Sequence, residues 1–407
     1  MNINADIAKT YLFTNKKLTL VAVMGVLLGM SIYIFMNSML VGFDKTSNVS
    51  IFKSTPHIRV YKDDEISKPL NENKDKKSII INPKVVPGSN TILNYKDVIN
   101  LIKKHQSVIL ASPQVSTTVF FNTGKIQIPG QVVGVIPHEA DIMFSIQSTV
   151  VEGSFEALRQ DINAIAIGIG VAEKLSLYIG DNITVTSSKG VSRNMKVAVI
   201  FKTNNAAVDK TKSYINLSAA QQLLKENNVY ITDINVAVNN PEKSESFAPE
   251  ITQLTGYKAE GWKEANAALM AAFRMRKIVI TFVSSTILIV AGFGIYNILN
   301  MTVSQKINDI AILKAMGFKG KDVIRIFLTQ ALSIGVMGVL GGMLAATVLI
   351  TILKSVYVGG DIGYFPIDYE PTKYLQGIIV GMIITFFAGY LPAKKAANVD
   401  PVSIFRK

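Results

Sequence analysis

The sequence contains no cysteine among its 407 residues. That excludes disulfides, thiolate metal sites, cysteine nucleophiles and a lipoprotein-type acylated cysteine, and it leaves the compartment open. Histidine is scarce as well. His57, His105 and His138 are scattered, and none sits in an H-E-x-x-H or comparable ligand spacing. His138-Glu139 with Asp141 reads as a polar turn after an apolar strand. No G-x-x-x-x-G-K-[ST] loop is present to cradle nucleotide phosphates, since GFKGKD (317–322) lacks the spacing, and there is no G-x-S-x-G elbow. No catalytic residue and no metal ligand can be nominated. Charge is also thin: 17% of residues are Asp, Glu, Lys or Arg, against about a quarter in soluble domains. With 49% hydrophobic residues, the composition points to a membrane protein.

Four long apolar runs carry that reading: 18–43, 278–303, about 323–353 and 374–393. A bilayer core of ~30 Å needs about 20 apolar residues per helix, and each run meets or nearly meets this with no charged residue at its centre. The first run exceeds a signal-peptide core of ~7–15 residues and no A-x-A-like site follows it, so it reads as a retained span. Lysine and arginine set the orientation. Lys9, Lys16 and Lys17 precede the first span, Lys306, Lys314, Lys319, Lys321 and Arg325 flank the gap between the second and third, and Lys394, Lys395, Arg406 and Lys407 follow the fourth. The positive-inside rule then puts both termini and the 304–322 loop in the cytoplasm. Arg274, Arg276 and Lys277 at the opposite end of span two depart from that rule. Much of the formal net charge of +13 lies beside the spans, which favours membrane lipid over nucleic acid as a partner.

The expected fold class is an α-helical membrane domain of four transmembrane helices, with a large mixed α/β extracytoplasmic (periplasmic) domain inserted between helices 1 and 2. The expected boundaries are an N-terminal helix at 1–17, spans at 18–43, 273–303, 323–353 and 374–393, the inserted domain at 44–272, loops at 304–322 and 354–373, and a tail at 394–407. Within the insert, about 145–230 is expected to form a second, inserted subdomain. Strand patterns occur at 57–61, 116–121, 131–136, 164–169, 182–187, 195–201, 213–217 and 233–238, and helix patterns at 95–105, 170–176 and 217–227, the last capped by Ser218. Residues 62–94, lysine-rich and then proline-punctuated, read as a surface insertion.

Glycines inside the spans are spaced for close helix approach, within or between chains: Gly25 and Gly29, Gly338 and Gly342, Gly377 and Gly381. Small residues let helix backbones meet where lipid supplies no hydrophobic drive. The spans hold no buried ionisable residue that could form an ion or proton path.

The layout of one span, a large insert and three further spans resembles the permeases of the MacB/FtsX superfamily of ATP-binding-cassette systems. Two segments carry the resemblance. NDIAILKAMGFKGKDVIRIF (308–327) is similar to the family's segment after span two, with Asp309 where glutamate is usual, and LPAKKAANVDPVSIFRK (391–407) is similar to the family's ending. PHIRVY (56–61), VVEGSFEAL (150–158) and GWKEANAALMAAFRMRKIVI (261–280) narrow it to the lipoprotein-releasing LolC/LolE type. Where LolC types carry a carrier-recruiting hook, this chain has only SKGVSRN (188–194).

The resemblance implies a partner dimer of cytoplasmic ATPases that holds ATP and Mg, with no cofactor in this chain. It also implies a second permease copy or paralogue, and a periplasmic carrier, or an adaptor and outer-membrane duct. The expected location is a bacterial inner membrane. The ATPase contact falls on a coupling helix formed by Asp309, Ile310, Ala311, Ile312, Leu313, Lys314, Ala315, Met316 and Gly317. Ile310, Leu313 and Gly317 share one face of it with Lys314 beside them; Gly317 is placed to end the helix and Asp322 to cap the next. Candidates to line a substrate cavity are Phe35, Met36, Met39, Leu40, Phe43, Ile278 and Phe282. Release or export of lipoproteins is the expected activity. A MacB-like exporter of peptides, toxins or small molecules, or FtsX-like signalling without transport, are the alternatives.

Overall fold

The computed structural model describes residues 3–14, 16–63, 91–203, 205–359 and 363–405. It divides into an inserted unit, Ser47–Met270, and a helical unit, Met1–Thr46 with Ala271–Lys407. Most of the surface insertion expected at 62–94 lies outside the described residues, as do Arg406 and Lys407 of the basic tail. The insertion's described C-terminal end, 91–94, is a turn with Leu93 exposed and one anchor in the core. Ile92 is fully buried, and its N–H donates to the Ile231 carbonyl at 3.2 Å.

Among the described residues, ten strands build the inserted unit: β1 (Ile58–Tyr61), β2 (Val108–Thr123), β3 (Ile126–Val135), β4 (Val150–Gly153), β5 (Ala164–Gly168), β6 (Asn182–Ser187), β7 (Ser192–Phe201), β8 (Lys212–Asn216), β9 (Asp233–Val238) and β10 (Lys258–Gly261). The sixteen-residue β2 serves two neighbours in succession. Val108–Gln114 pairs antiparallel with β9, and Val115–Thr123 pairs with β3. Its first half completes a sheet ordered β10-β1-β9-β2. Its second half begins a ring in which β3 pairs β8, β8 pairs β5, β5 pairs β7, β7 pairs β6, and β6 returns to β2 at Val119–Asn122. Six strands thus close a barrel, with β4 appended to β7. Closure removes the open edges that would otherwise invite pairing with another chain.

Branched and aromatic residues fill it: Phe121, Val132, Ile167, Val185, Val197 and Ile215, from six different strands, are fully buried in one cluster. Gly130 is required at the tight side of this packing, because a Cβ there would strike the Phe121 ring. In the four-stranded sheet, Ile58 and Val60 are buried with Val98, Ile102 and Ile251 of the helices Tyr95–Lys103 and Ser244–Thr255. The alternate residues Arg59 and Tyr61 point the other way, as a strand's two-residue period requires. There the Arg59 guanidinium donates to the Asp233 carboxylate at 2.6 Å.

The expected subdomain of 145–230 is enlarged by β3 and half of β2, which belong to the barrel. Three strand segments have no sequence counterpart in the prediction. The first half of β2 is interrupted by Pro113, and β4 and β10 are four residues each, one of them Lys-Ala-Glu-Gly. Helix Leu217–Leu223 is capped by Asn216, whose side chain accepts the Ser218 N–H at 3.0 Å, and not by Ser218.

Among the described residues, four helices are long and apolar enough to cross a membrane: Lys16–Phe52, Ala267–Gln305, Gly320–Lys354 and Pro371–Ala397, taken below as spans one to four. They overrun the expected limits of 18–43, 273–303, 323–353 and 374–393. Span one has 37 residues, about 55 Å of helix at 1.5 Å per residue, far more than a bilayer core of ~30 Å. A short hairpin of β11 (Tyr357–Gly359) and β12 (Gly363–Tyr364) joins spans three and four.

Met30 of span one is fully buried where three spans meet. A Cβ at Gly342 would lie 2.6 Å from the Met30 Cβ and 2.8 Å from the Leu27 carbonyl oxygen. One at Gly377 would lie 2.6 Å from the Met30 Cε, and one at Gly381 3.2 Å from Val339. Gly338 faces Val26, and Gly29 faces Ala291 of span two at 2.9 Å. Gly25 faces open space. Across the same bundle the buried Asn37 donates to Ser284 of span two at 3.3 Å.

Two predictions follow from this packing. Gly342→Ala overpacks the Met30 crossing and costs about 1–3 kcal/mol, whereas Gly25→Ala is neutral; unfolding of the purified chain in detergent measures both. The second concerns His57, whose Nδ1 accepts the Val238 N–H at 3.0 Å and whose ring packs edge-on against Phe52. Burial lowers the His57 pKa below its ordinary value, partly opposed by the Val238 carbonyl. The unfolded chain therefore takes up a proton first, so stability falls as pH drops below about 6.5. Melting curves between pH 5 and 8 should show this slope, and His57→Leu should flatten it.

Candidate functional site

Between spans two and three the chain makes one short helix, Ile307–Ala315. Its end is set by Gly317, which takes φ +100°. The Phe318 N–H reaches the Leu313 carbonyl and the Gly317 N–H the Lys314 carbonyl, both at 3.1 Å, which closes a Schellman motif. Two residues later span three begins, and the Asp322 carboxylate accepts the Lys319 N–H at 3.0 Å. That stop separates the short helix from span three, and a one-residue break at Lys306 separates it from the helix that ends at Gln305.

Its inner face belongs to a hydrophobic cluster built from five segments. Ile310 (1% exposed) is packed with Ala8 and Tyr11 of the N-terminal helix Ile3–Thr14, Val303, Phe327 and Ala396. Leu313 packs against the same cluster. Lys314 is half-buried, and its ammonium donates to the carbonyls of Ala397 at 2.9 Å and Val399 at 2.5 Å. The first is one of the orphan carbonyls at the end of span four, where a cation also meets the negative end of the helix dipole, and the second lies two residues beyond it in the tail. Of the face predicted from spacing, Ile310 and Leu313, with Lys314 beside them, are therefore turned into the bundle, and Gly317 alone stays exposed. Residues one-half turn away are exposed instead: Ile312 at 46%, Met316 at 65%, and Ala315 with them. Spacing alone could not choose between the faces, because both carry isoleucine at helical intervals.

A groove of about 510 Å³ runs between the short helix and the N-terminal helix. Ile7, Tyr11 and Leu313 form its apolar side, Asp309 and Ile312 line the short-helix wall, and Asp6 and Thr10 the opposite one. Lys306 pairs with Asp309 at 3.0 Å and lies over the Tyr11 ring at 5.5 Å. Burial, then the Asp309 carboxylate, raises the Tyr11 pKa, so its hydroxyl stays neutral. The sequence offered no motif for this groove. Only the apolar spacing of Ile7, Ala8, Tyr11 and Leu12 hinted that the N-terminal helix had something to cover.

At the other end of the bundle the substrate-cavity candidates are dispersed. Leu40 is 3% exposed, and Phe35 and Met39 pack against the bundle core, whereas Ile278 and Phe282 face outward at 58% and 73%. Met36 is half-buried. Phe43 stacks edge-on against Phe365 at 5.6 Å. Arg276, out of place by charge counting, bonds the Asp44 carboxylate at 2.5 Å and lies over the rings of Phe43 and Phe273. Among the described residues no group of three or more His, Cys, Asp or Glu side chains is placed to hold a metal ion.

Comparison with known proteins adds two family matches. The MacB-like periplasmic core domain family matches residues 19–254, and the FtsX-like permease C-terminal family matches residues 281–401. The lipoprotein-releasing system transmembrane protein LolC of Neisseria meningitidis serogroup B is 24% identical, covering 96% of this chain and 94% of that protein. LolE of Haemophilus influenzae is 22% identical over 93% of this chain and 92% of its own. The macrolide export ATP-binding/permease protein MacB of Bradyrhizobium diazoefficiens is 32% identical, but over 28% of this chain and 17% of that protein.

Lys314→Met keeps the aliphatic stem and removes the ammonium, leaving two carbonyls without their donor. A loss of about 1–3 kcal/mol is expected in detergent unfolding, with Lys314→Arg intermediate. Because Leu313 packs inward, Leu313→Arg should lower stability as well as any partner affinity.

Proposed function

Since the chain belongs to the ATP-binding-cassette transporter permeases that join a MacB-like periplasmic core domain to an FtsX-like C-terminal region, we propose that it transmits the motion of a separate ATPase to a substrate handled outside the membrane. The short helix Ile307–Ala315 carries this reading. It presents Ile312 and Met316 to solvent while its other side is held by Ile310, Leu313 and the Lys314 ammonium. An apolar face on a braced element suits a docking knob, because a push on it reaches span four directly and spans two and three through their shared cluster. ATP and Mg bind the ATPase and not this chain. The basic flanks of this end put it, with both termini, in the cytoplasm of a cell with an inner membrane.

Release of lipoproteins is the substrate reading, supported by relatives that align along nearly the whole chain, insert included. Outward-facing Ile278 and Phe282 offer apolar surface to acyl chains at the far end of span two. A carrier-docking role is not assigned to the β6–β7 hairpin. Its turn is short, and Lys189 is paired with Glu226 at 2.5 Å and Arg193 with Gln222 at 2.6 Å, which ties it to the domain surface. The local identity to MacB over 115 residues favours export of a smaller substrate as the second reading.

The test pairs Ile312→Glu with Met316→Glu. Together they should weaken association with the ATPase by more than about 30-fold, as loss of two apolar anchors does, and leave the melting temperature nearly unchanged. In proteoliposomes the same variant should stop ATP-dependent release of an acylated protein. Unchanged association would remove the docking assignment, and equal handling of acylated and non-acylated cargo would remove the lipoprotein reading.

A further inference from the structure

We infer that the groove between the N-terminal helix and the short helix receives an apolar segment of the partner ATPase bearing an arginine or lysine, so that the N-terminal helix is a second docking element. The inference rests on the docking reading above and goes beyond it by giving the partner's chemistry. Three observations converge. First, the groove is large enough, at about 510 Å³, for several side chains, and its floor is apolar through Ile7, Tyr11 and Leu313.

Second, its charge is opposite to its surroundings. Asp6 makes no ion pair among the described residues, and Asp309 is matched by Lys306, so the groove keeps one net negative charge. The neighbouring chain is basic, with Lys9, Lys319, Lys321, Arg325, Lys394 and Lys395. An anionic headgroup would be drawn to that surface but repelled by Asp6, and a basic side chain gains at Asp6 what it would lose elsewhere. Third, the groove is continuous with the exposed face. Ile312 lines the groove and is also 46% exposed beside Met316, so a partner seated on those two residues borders the groove mouth.

The absence of cysteine makes the test direct, because Thr10→Cys introduces the chain's single thiol. The purified full-length variant is labelled with benzophenone maleimide, reconstituted in vesicles with its ATPase and irradiated. An adduct with the ATPase is expected; adducts only with lipid, or only with a second copy of this chain, would overturn the proposal. Asp6→Lys should weaken ATPase binding about three- to tenfold and flatten its dependence on salt, and Thr10→Trp, which fills the groove, should weaken it further, with melting temperatures unchanged. If the Ile312→Glu, Met316→Glu pair abolishes binding while Asp6→Lys, Thr10→Trp and the adduct show no ATPase contact, the groove proposal alone fails. If that pair leaves binding intact, the docking reading fails with it.

Discussion

One methionine side chain sets the spacing of the helical unit. Met30 occupies the volume that two glycines vacate, Gly342 on span three and Gly377 on span four, so those helices approach span one to within a side chain's reach. In lipid there is no hydrophobic gain from bringing helices together, and close packing must supply the attraction. The flexible thioether fits an irregular cup better than a branched residue would. Asn37 and Ser284 add one hydrogen bond between spans one and two.

At the end of the unit that holds the short helix the physics changes. Here Ala8, Tyr11, Ile310 and Ala396, from beyond the apolar runs, gather around Val303 and Phe327 at the ends of two of them, and burial from water does contribute. The Lys314 ammonium then joins the short helix to the last turn of span four and to the tail at Val399. The two segments that carried the family resemblance, 308–327 and 391–407, thus meet through this cluster and through the Lys314 ammonium. A family signature spread over two distant stretches is here one packed region.

Much of the architecture was legible because lipid and strand pairing both impose simple periods. Four uncharged runs announced four spans, and branched alternation found most strands of the insert. Barrel closure was hidden, since it depends on β6 reaching back to β2, a pairing that no local pattern encodes. Helix ends were visible where a residue type is required, as at Gly317, and misassigned where two capping residues stood close, as at Asn216 and Ser218. Which side of the short helix is exposed was not legible, because Ile310 and Ile312 are chemically alike and differ only in what packs over them. Likewise Arg276 looked like a topological exception until Asp44, 232 residues away in sequence, was found beside it.

Span one is also a rod with unequal arms. From Met30 it runs 14 residues to Lys16 and 22 residues to Phe52, about 21 Å and 33 Å of helix. By lever geometry a straight rod of these proportions pivoting at the Met30 crossing swings its longer arm about one and a half times as far as its shorter one, in the opposite direction. The placement of one methionine against two glycines is thereby also the choice of a gear ratio.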